Sequence, residues 1–151
     1  MKNVSLDLID KSENTTLYTI SFTDDNMSEF EKFMTKYRSN SELNRDFQVI
    51  LKVLTKVLEN GALERYFRPE GKMKDGVCAL PILTGKLRLY CLRISDKILI
   101  LGNGGIKETK TYQDSPELSG YVMDLQNFEK LLREGEKEGT IVIEESEIKG
   151  I

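Results

Sequence analysis

Two hydrophobic periodicities alternate along the chain. Leu17-Tyr18-Thr19-Ile20-Ser21-Phe22 alternates and is rich in β-branched and aromatic residues, which predicts a first strand. Asp24-Asp25-Asn26 then breaks the pattern. Met27, Phe30, Phe33, Met34 and Tyr37 fall on one helical face, with Ser28 and Glu31 at the spacing of a capping box. Leu43, Phe47, Ile50, Leu51, Leu54 and Leu58 make a second apolar stripe. Ser39 with Glu42 suits its start, and Gly61 suits its end. Only a few polar residues separate the two stripes, so an antiparallel helical hairpin is expected.

The segment 63–76, with Pro69, Gly71 and Gly76, reads as a loop carrying Arg65, Arg68, Lys72 and Lys74. Val77–Leu80, Leu87–Ile94 and Lys97–Asn103 read as a three-stranded antiparallel meander, with a tight turn at Ser95-Asp96. Gly102-Asn103-Gly104-Gly105 is expected to end its last strand. A polar connection over 106–117 leads to a helix over Val122–Arg133, and Thr140–Ile143 is expected to form a short closing strand. Residues 1–16 read as a loose lead-in and 134–151 as an acidic extension. The prediction is one α+β domain over 1–151, its helices covering one face of the sheet and the other face free to bind.

Composition narrows the chemistry. A chain of 151 residues with 39% hydrophobic and 31% charged positions fits a single globular domain. No apolar run approaches the roughly 20 residues that span a bilayer, and the N-terminus lacks the apolar centre of a signal peptide. A cytoplasmic protein is therefore expected. The chain has no histidine, which excludes Ser-His-Asp and Cys-His nucleophile systems and His-bearing zinc sites. Cys78 and Cys91 form neither a CxxC pair nor a disulfide framework, so buried thiols are expected, with no metal and no cofactor.

Charge is unevenly spread. The net charge is −3, yet the window from Glu64 to Tyr112 holds ten Lys/Arg against five acids, which leaves −8 for the remainder. Cations clustered on a sheet suit a polyanion. On the strand Leu87–Ile94, alternation sets Leu87, Leu89, Cys91 and Arg93 on one face and Arg88, Tyr90, Leu92 and Ile94 on the other. A strand holds an arginine fork in place for phosphate. In Gly104-Gly105-Ile106-Lys107-Glu108-Thr109-Lys110-Thr111-Tyr112, two glycines permit close backbone approach, and two lysines and a phenol follow. This is no P-loop, because the Lys-Ser/Thr pair and the following helix are missing.

The order of elements, and the run GKLRLYCLRISDKILILGNGGIKETKTY, resembles the RelE/HigB family of toxins from toxin–antitoxin modules. The resemblance implies a compact α+β toxin with an antiparallel sheet, silenced by an antitoxin protein of helix-turn-helix type. It also implies a ribosome-dependent endoribonuclease, in which the ribose 2′-OH of an mRNA attacks the adjacent phosphate. On this resemblance Arg88 and Lys107 would stabilise phosphate and transition-state charge. Lys110 or Tyr112 would move protons, and Arg68, Lys72, Lys74 and Lys86 would hold RNA. Glu108 stands where many relatives have a second lysine. The alternative is a catalytically inactive toxin-like protein that binds a partner protein or nucleic acid.

Overall fold

The computed structural model describes residues 3–69, 76–81, 85–108 and 112–151. It is an α+β structure with three α-helices, a six-stranded mixed sheet and a small hairpin among these residues. The strands are β1 (Val4–Lys11), β2 (Thr16–Phe22), β3 (Arg68–Pro69), β4 (Val77–Leu80), β5 (Leu87–Ser95) and β6 (Ile98–Ile106). They lie in the order β1-β2-β6-β5-β4-β3. The helices are α1 (Glu29–Tyr37), α2 (Asn44–Asn60) and α3 (Pro116–Glu138), and β7 (Val142–Ile143) pairs with β8 (Ile148–Lys149).

The β4-β5-β6 meander forms as its alternation predicts, all antiparallel. The sheet as a whole is not antiparallel, because β2 runs parallel to β6 from Thr16 against Ile98 to Thr19 against Leu101. Thr19 ties three elements together. Its Oγ1 donates to the Leu101 carbonyl at 2.7 Å and accepts the Phe30 N–H at 3.2 Å, seating the start of α1 beside β6.

Residues 4–11 are not a loose lead-in. They form edge strand β1, antiparallel to β2, with a bulge between Leu8 and Asp10. The bulge leaves the apolar Leu8 and Ile9 in solvent, at 61% and 37% exposure, and this blurs the alternation that marks a strand. Val142–Ile143 likewise closes onto β8 and not onto the main sheet. The last helix begins at Pro116, capped by Ser115, whose Oγ accepts the Leu118 N–H.

The capping box of α1 is present as its spacing predicts, with Ser28 and Glu31 bonded reciprocally. Ser39 does not cap α2. Asn40 Oδ1 instead accepts the N–H groups of Glu42 and Leu43, at 3.0 and 3.1 Å, as a short amide in a turn readily does. α2 ends before Gly61, whose N–H donates to Val57.

Among the described residues both faces of β2, β4, β5 and β6 are covered, so the sheet does not offer the one free binding face that was expected; only edge strand β1 stays largely exposed. Leu17, Leu87, Leu89, Cys91, Leu99 and Leu101 pack on one face with Phe33 and Tyr37 of α1 and with Phe47, Ile50, Leu54 and Val57 of α2. The Phe33 and Phe47 rings stack 6.1 Å apart. On the other face Tyr18, Ile20, Tyr90, Leu92, Ile98 and Ile100 meet Leu118, Val122, Leu125, Phe128 and Leu132 of α3. The physical reason is legible in β5, which is apolar on alternate and intervening positions alike, the mark of a strand buried on both sides. Ligands must therefore approach an end or an edge of the sheet, or an outer helix face.

Candidate functional site

The end of the sheet where β5 begins and β6 finishes gathers several of the expected residues. Arg88 lies opposite Gly105, and Leu87 opposite Ile106. One step further out, the Lys107 N–H donates to the Lys86 carbonyl at 2.7 Å. Two lysines 21 positions apart in sequence thus leave neighbouring backbones. Lys86 is exposed and Lys107 half-buried.

The start of β5 is held by α2. Asp46 Oδ2 accepts the Lys86 N–H at 2.7 Å and the Leu87 N–H at 3.1 Å. Gly85 makes the approach possible. Its φ is +85°, and a Cβ there would lie 2.6 Å from the Asp46 carboxylate, so neither the backbone nor the space admits a larger residue.

Arg88 is buried, at 7% exposure. Its Nη1 donates to the carbonyls of Gly85 and Leu87 at 2.8 and 3.0 Å, so part of its fork holds the turn that precedes β5. Gly104 is not a phosphate loop. Gly102-Asn103-Gly104-Gly105 lies within β6 and is buried throughout. The shift of register between Leu89 and Cys91 places one extra β6 residue here. A Cβ on Gly104 would sit 1.9 Å from the Arg88 carbonyl oxygen, so the glycine serves strand-to-strand approach.

Tyr112 is also buried, at 9% exposure, with its ring edge-on to Tyr90 at 6.4 Å. It belongs to the α3-side core. Arg68 lies on β3 across from Ala79, which pairs with Tyr90. It is thus two strands and two positions from Arg88, roughly 12 Å by ordinary strand spacing. Lys72, Lys74 and Lys110 lie outside the described residues.

Beside Lys86 opens a cleft of about 410 Å³, lined by Asn40, Glu42, Leu43, Asp46, Gly85, Lys86, Ile106 and Glu108. Three carboxylates against one lysine make it unsuited to a phosphate. Nearby, Lys36 of α1 meets Glu117 of α3 at 3.2 Å, and the Tyr121 hydroxyl donates to the same carboxylate at 3.0 Å. Burial and then the Glu117 hydrogen bond push the Tyr121 phenol well above its usual range. The hydrogen bond to Glu117 raises Lys36.

The acidic C-terminal extension does not cover this end. Its contacts lie at the opposite end of the sheet, where Lys97 faces Glu145 at 3.6 Å and Thr16 Oγ1 donates to the Ser146 carbonyl. Arg93 is engaged there too, with Asp96, Glu64 and the Ala62 carbonyl. Cys78 and Cys91 are buried cross-strand partners, and burial pushes the Cys91 thiol up. That makes it an inert core residue.

Three cations outside the basic window share the outer side of α2. Arg45, Lys52 and Lys56 are all exposed, and their seven- and four-residue spacing was the available signal. Among the described residues no three His, Cys, Asp or Glu side chains form a metal-holding group, and no helix is long and apolar enough to cross a membrane. No family model, no curated protein and no solved structure matches the chain.

Proposed function

We propose that this chain is a toxin of the RelE/HigB kind, held in check by an antitoxin, that engages messenger RNA on the ribosome and cleaves it through the ribose 2′-OH. The observation that carries the reading is the meeting of Lys86 and Lys107 at one end of the sheet, through the 2.7 Å backbone bond between them. The α+β class and the run of residues from Gly85 to Tyr112 support it. In this reading Lys107 stabilises charge on the phosphate and Lys86 holds RNA backbone. Arg88 acts as a positioning residue, since its guanidinium braces the Gly85 turn from which Lys86 departs. Lys110 retains the proton-transfer role that the family resemblance implies.

A second reading keeps the toxin-like fold and the RNA or partner surface but removes cleavage. Two observations favour it: Arg88 is buried against backbone carbonyls, and Tyr112 is packed on Tyr90. Neither group is presented to solvent as a phosphate clamp or a proton carrier would be. Induced expression separates the readings. The nuclease reading expects growth arrest, cuts in ribosome-associated messages by primer extension, and relief of both by Lys107→Ala. A positioned catalytic group is worth roughly 10²–10⁴ in rate. Arrest without cuts would favour binding alone, and harmless overproduction would remove the toxin reading.

A further inference from the structure

The outward face of α2 carries a single file of cations. With 3.6 residues per turn, Lys52 falls about 20° to one side of Arg45 and Lys56 about 20° to the other. The file lies opposite the core-facing Phe47, Ile50, Leu54 and Val57. At 1.5 Å per residue the three charges are separated along the axis by about 10 and 6 Å. All three are exposed, and none makes an ion pair among the described residues. Like charges four apart on a helix oppose its formation. Exposed acids flank the file, Glu42 three residues before Arg45 and Glu59 three residues after Lys56, and within it only Asp46 is acidic. Asp46, adjacent to Arg45, is turned inward onto the Lys86 and Leu87 amides. That contact also brings Arg45 near the sheet end that bears Lys86 and Lys107, on the far side of the cleft that Glu42, Asp46 and Glu108 line.

We propose that the exposed face of α2 is a track for the backbone of single-stranded RNA, through Arg45, Lys52 and Lys56. The file is one side chain wide, which fits one phosphodiester strand better than the broad face of a bilayer. Its closeness to the Lys86/Lys107 end favours RNA over an acidic protein, and to that extent the inference rests on the RNA-directed reading of that end. Cleavage is not required for it.

The test is binding of the full chain to a single-stranded oligouridylate across salt from about 50 to 200 mM. Each phosphate contact contributes about −0.7 to the slope of log K against log salt. Arg45→Gln, Lys52→Gln and Lys56→Gln together should therefore flatten the slope by about 2 and weaken binding on the order of a hundredfold at 0.1 M salt. Glutamine keeps the helix propensity of these positions. Lys11→Gln, Lys130→Gln and Lys137→Gln, the same charge change at exposed positions elsewhere, should leave the slope in place. An equal loss in that control would overturn the track, as would salt-independent or absent binding by the unaltered chain. Should the triple variant not fold, acylation of the unaltered chain decides the matter. RNA should shield Lys52 and Lys56 but not Lys130 and Lys137, and uniform labelling would overturn the proposal. Primer extension with Lys107→Ala is a separate measurement, so the track and the nuclease can fail independently.

Discussion

Arg88 on β5 and Gly104 on β6 approach so closely that one methyl group at residue 104 would lie 1.9 Å from the Arg88 carbonyl oxygen. The obstacle is backbone, which cannot swing aside. Gly104→Ala should therefore cost at least the upper end of the 1–3 kcal/mol typical of overpacking, about 3 kcal/mol. Gly120, inside α3 with nothing within 4 Å of its position, should respond oppositely. Gly120→Ala should stabilise by about 0.5–1 kcal/mol. Urea unfolding of the two variants checks both signs.

Arg88→Ala and Lys107→Ala should differ in what they damage. Removing Arg88 deletes charged hydrogen bonds to the Gly85 and Leu87 carbonyls, and stability should fall by about 1.5–3 kcal/mol. The backbone bond of Lys107 to Lys86 is one that alanine retains, so Lys107→Ala should cost less than Arg88→Ala, about 1 kcal/mol. A melting comparison alongside the growth assay then tells lost chemistry from lost fold. A strongly destabilised Lys107→Ala protein would remove that distinction.

Asp46→Ala should loosen the start of β5. Its carboxylate satisfies two amides at once, and bonds to a charged group are worth about 1.5–3 kcal/mol. Hydrogen exchange at Lys86 and Leu87 should accelerate in this variant while the Cys91 and Leu92 amides at the middle of β5 change less. Uniform acceleration would mean that Asp46 supports the whole fold instead.

The Glu117 contacts predict an alkaline limit. The Tyr121 phenol is raised above its ordinary value near 10, first by burial and then by Glu117. Lys36 is raised from its ordinary 10.5 by the same carboxylate. Both groups therefore hold their protons longer in the folded state than in the unfolded one. Their stabilisation is whole below the unfolded values and is lost as pH climbs through about 10 and beyond. Tyr121→Phe should flatten the fall in stability above pH 10, measured by thermal melting in low-salt buffers. An unchanged profile would show that other groups set the limit.

How far the sequence was legible depended on how cleanly each pattern was separated. Ser28 and Glu31 announced the start of α1, because a capping box uses two residues with one geometric purpose. The β5 strand showed both of its apolar faces, yet a sheet with one free side was expected; Tyr90 and Leu92 carried the information that α3 covers the second side. β1 is not legible because the Leu8–Ile9 bulge interrupts its period of two. The parallel pairing of β2 with β6 is a long-range choice that no local pattern records. At the site, the neighbourhood of Lys86 and Lys107 follows from the meander and was legible. The burial of Arg88 and Tyr112 was not, since it depends on what α3 and the Gly85 turn place over them.

The parallel pairing of β2 with β6 also governs the order in which the molecule can be assembled. Thr19 bonds to Leu101, 82 residues downstream. During synthesis the β1–β2 hairpin therefore emerges long before the strand that completes it. Until β6 leaves the ribosome, the inner edge of β2 stays unsatisfied, with Leu17, Tyr18 and Ile20 uncovered. Contacts of such long sequence separation form slowly, and an unpaired edge of this kind invites association with other chains. The nascent β1–β2 hairpin consequently depends on prompt synthesis of β6 or on a chaperone to cover its inner edge.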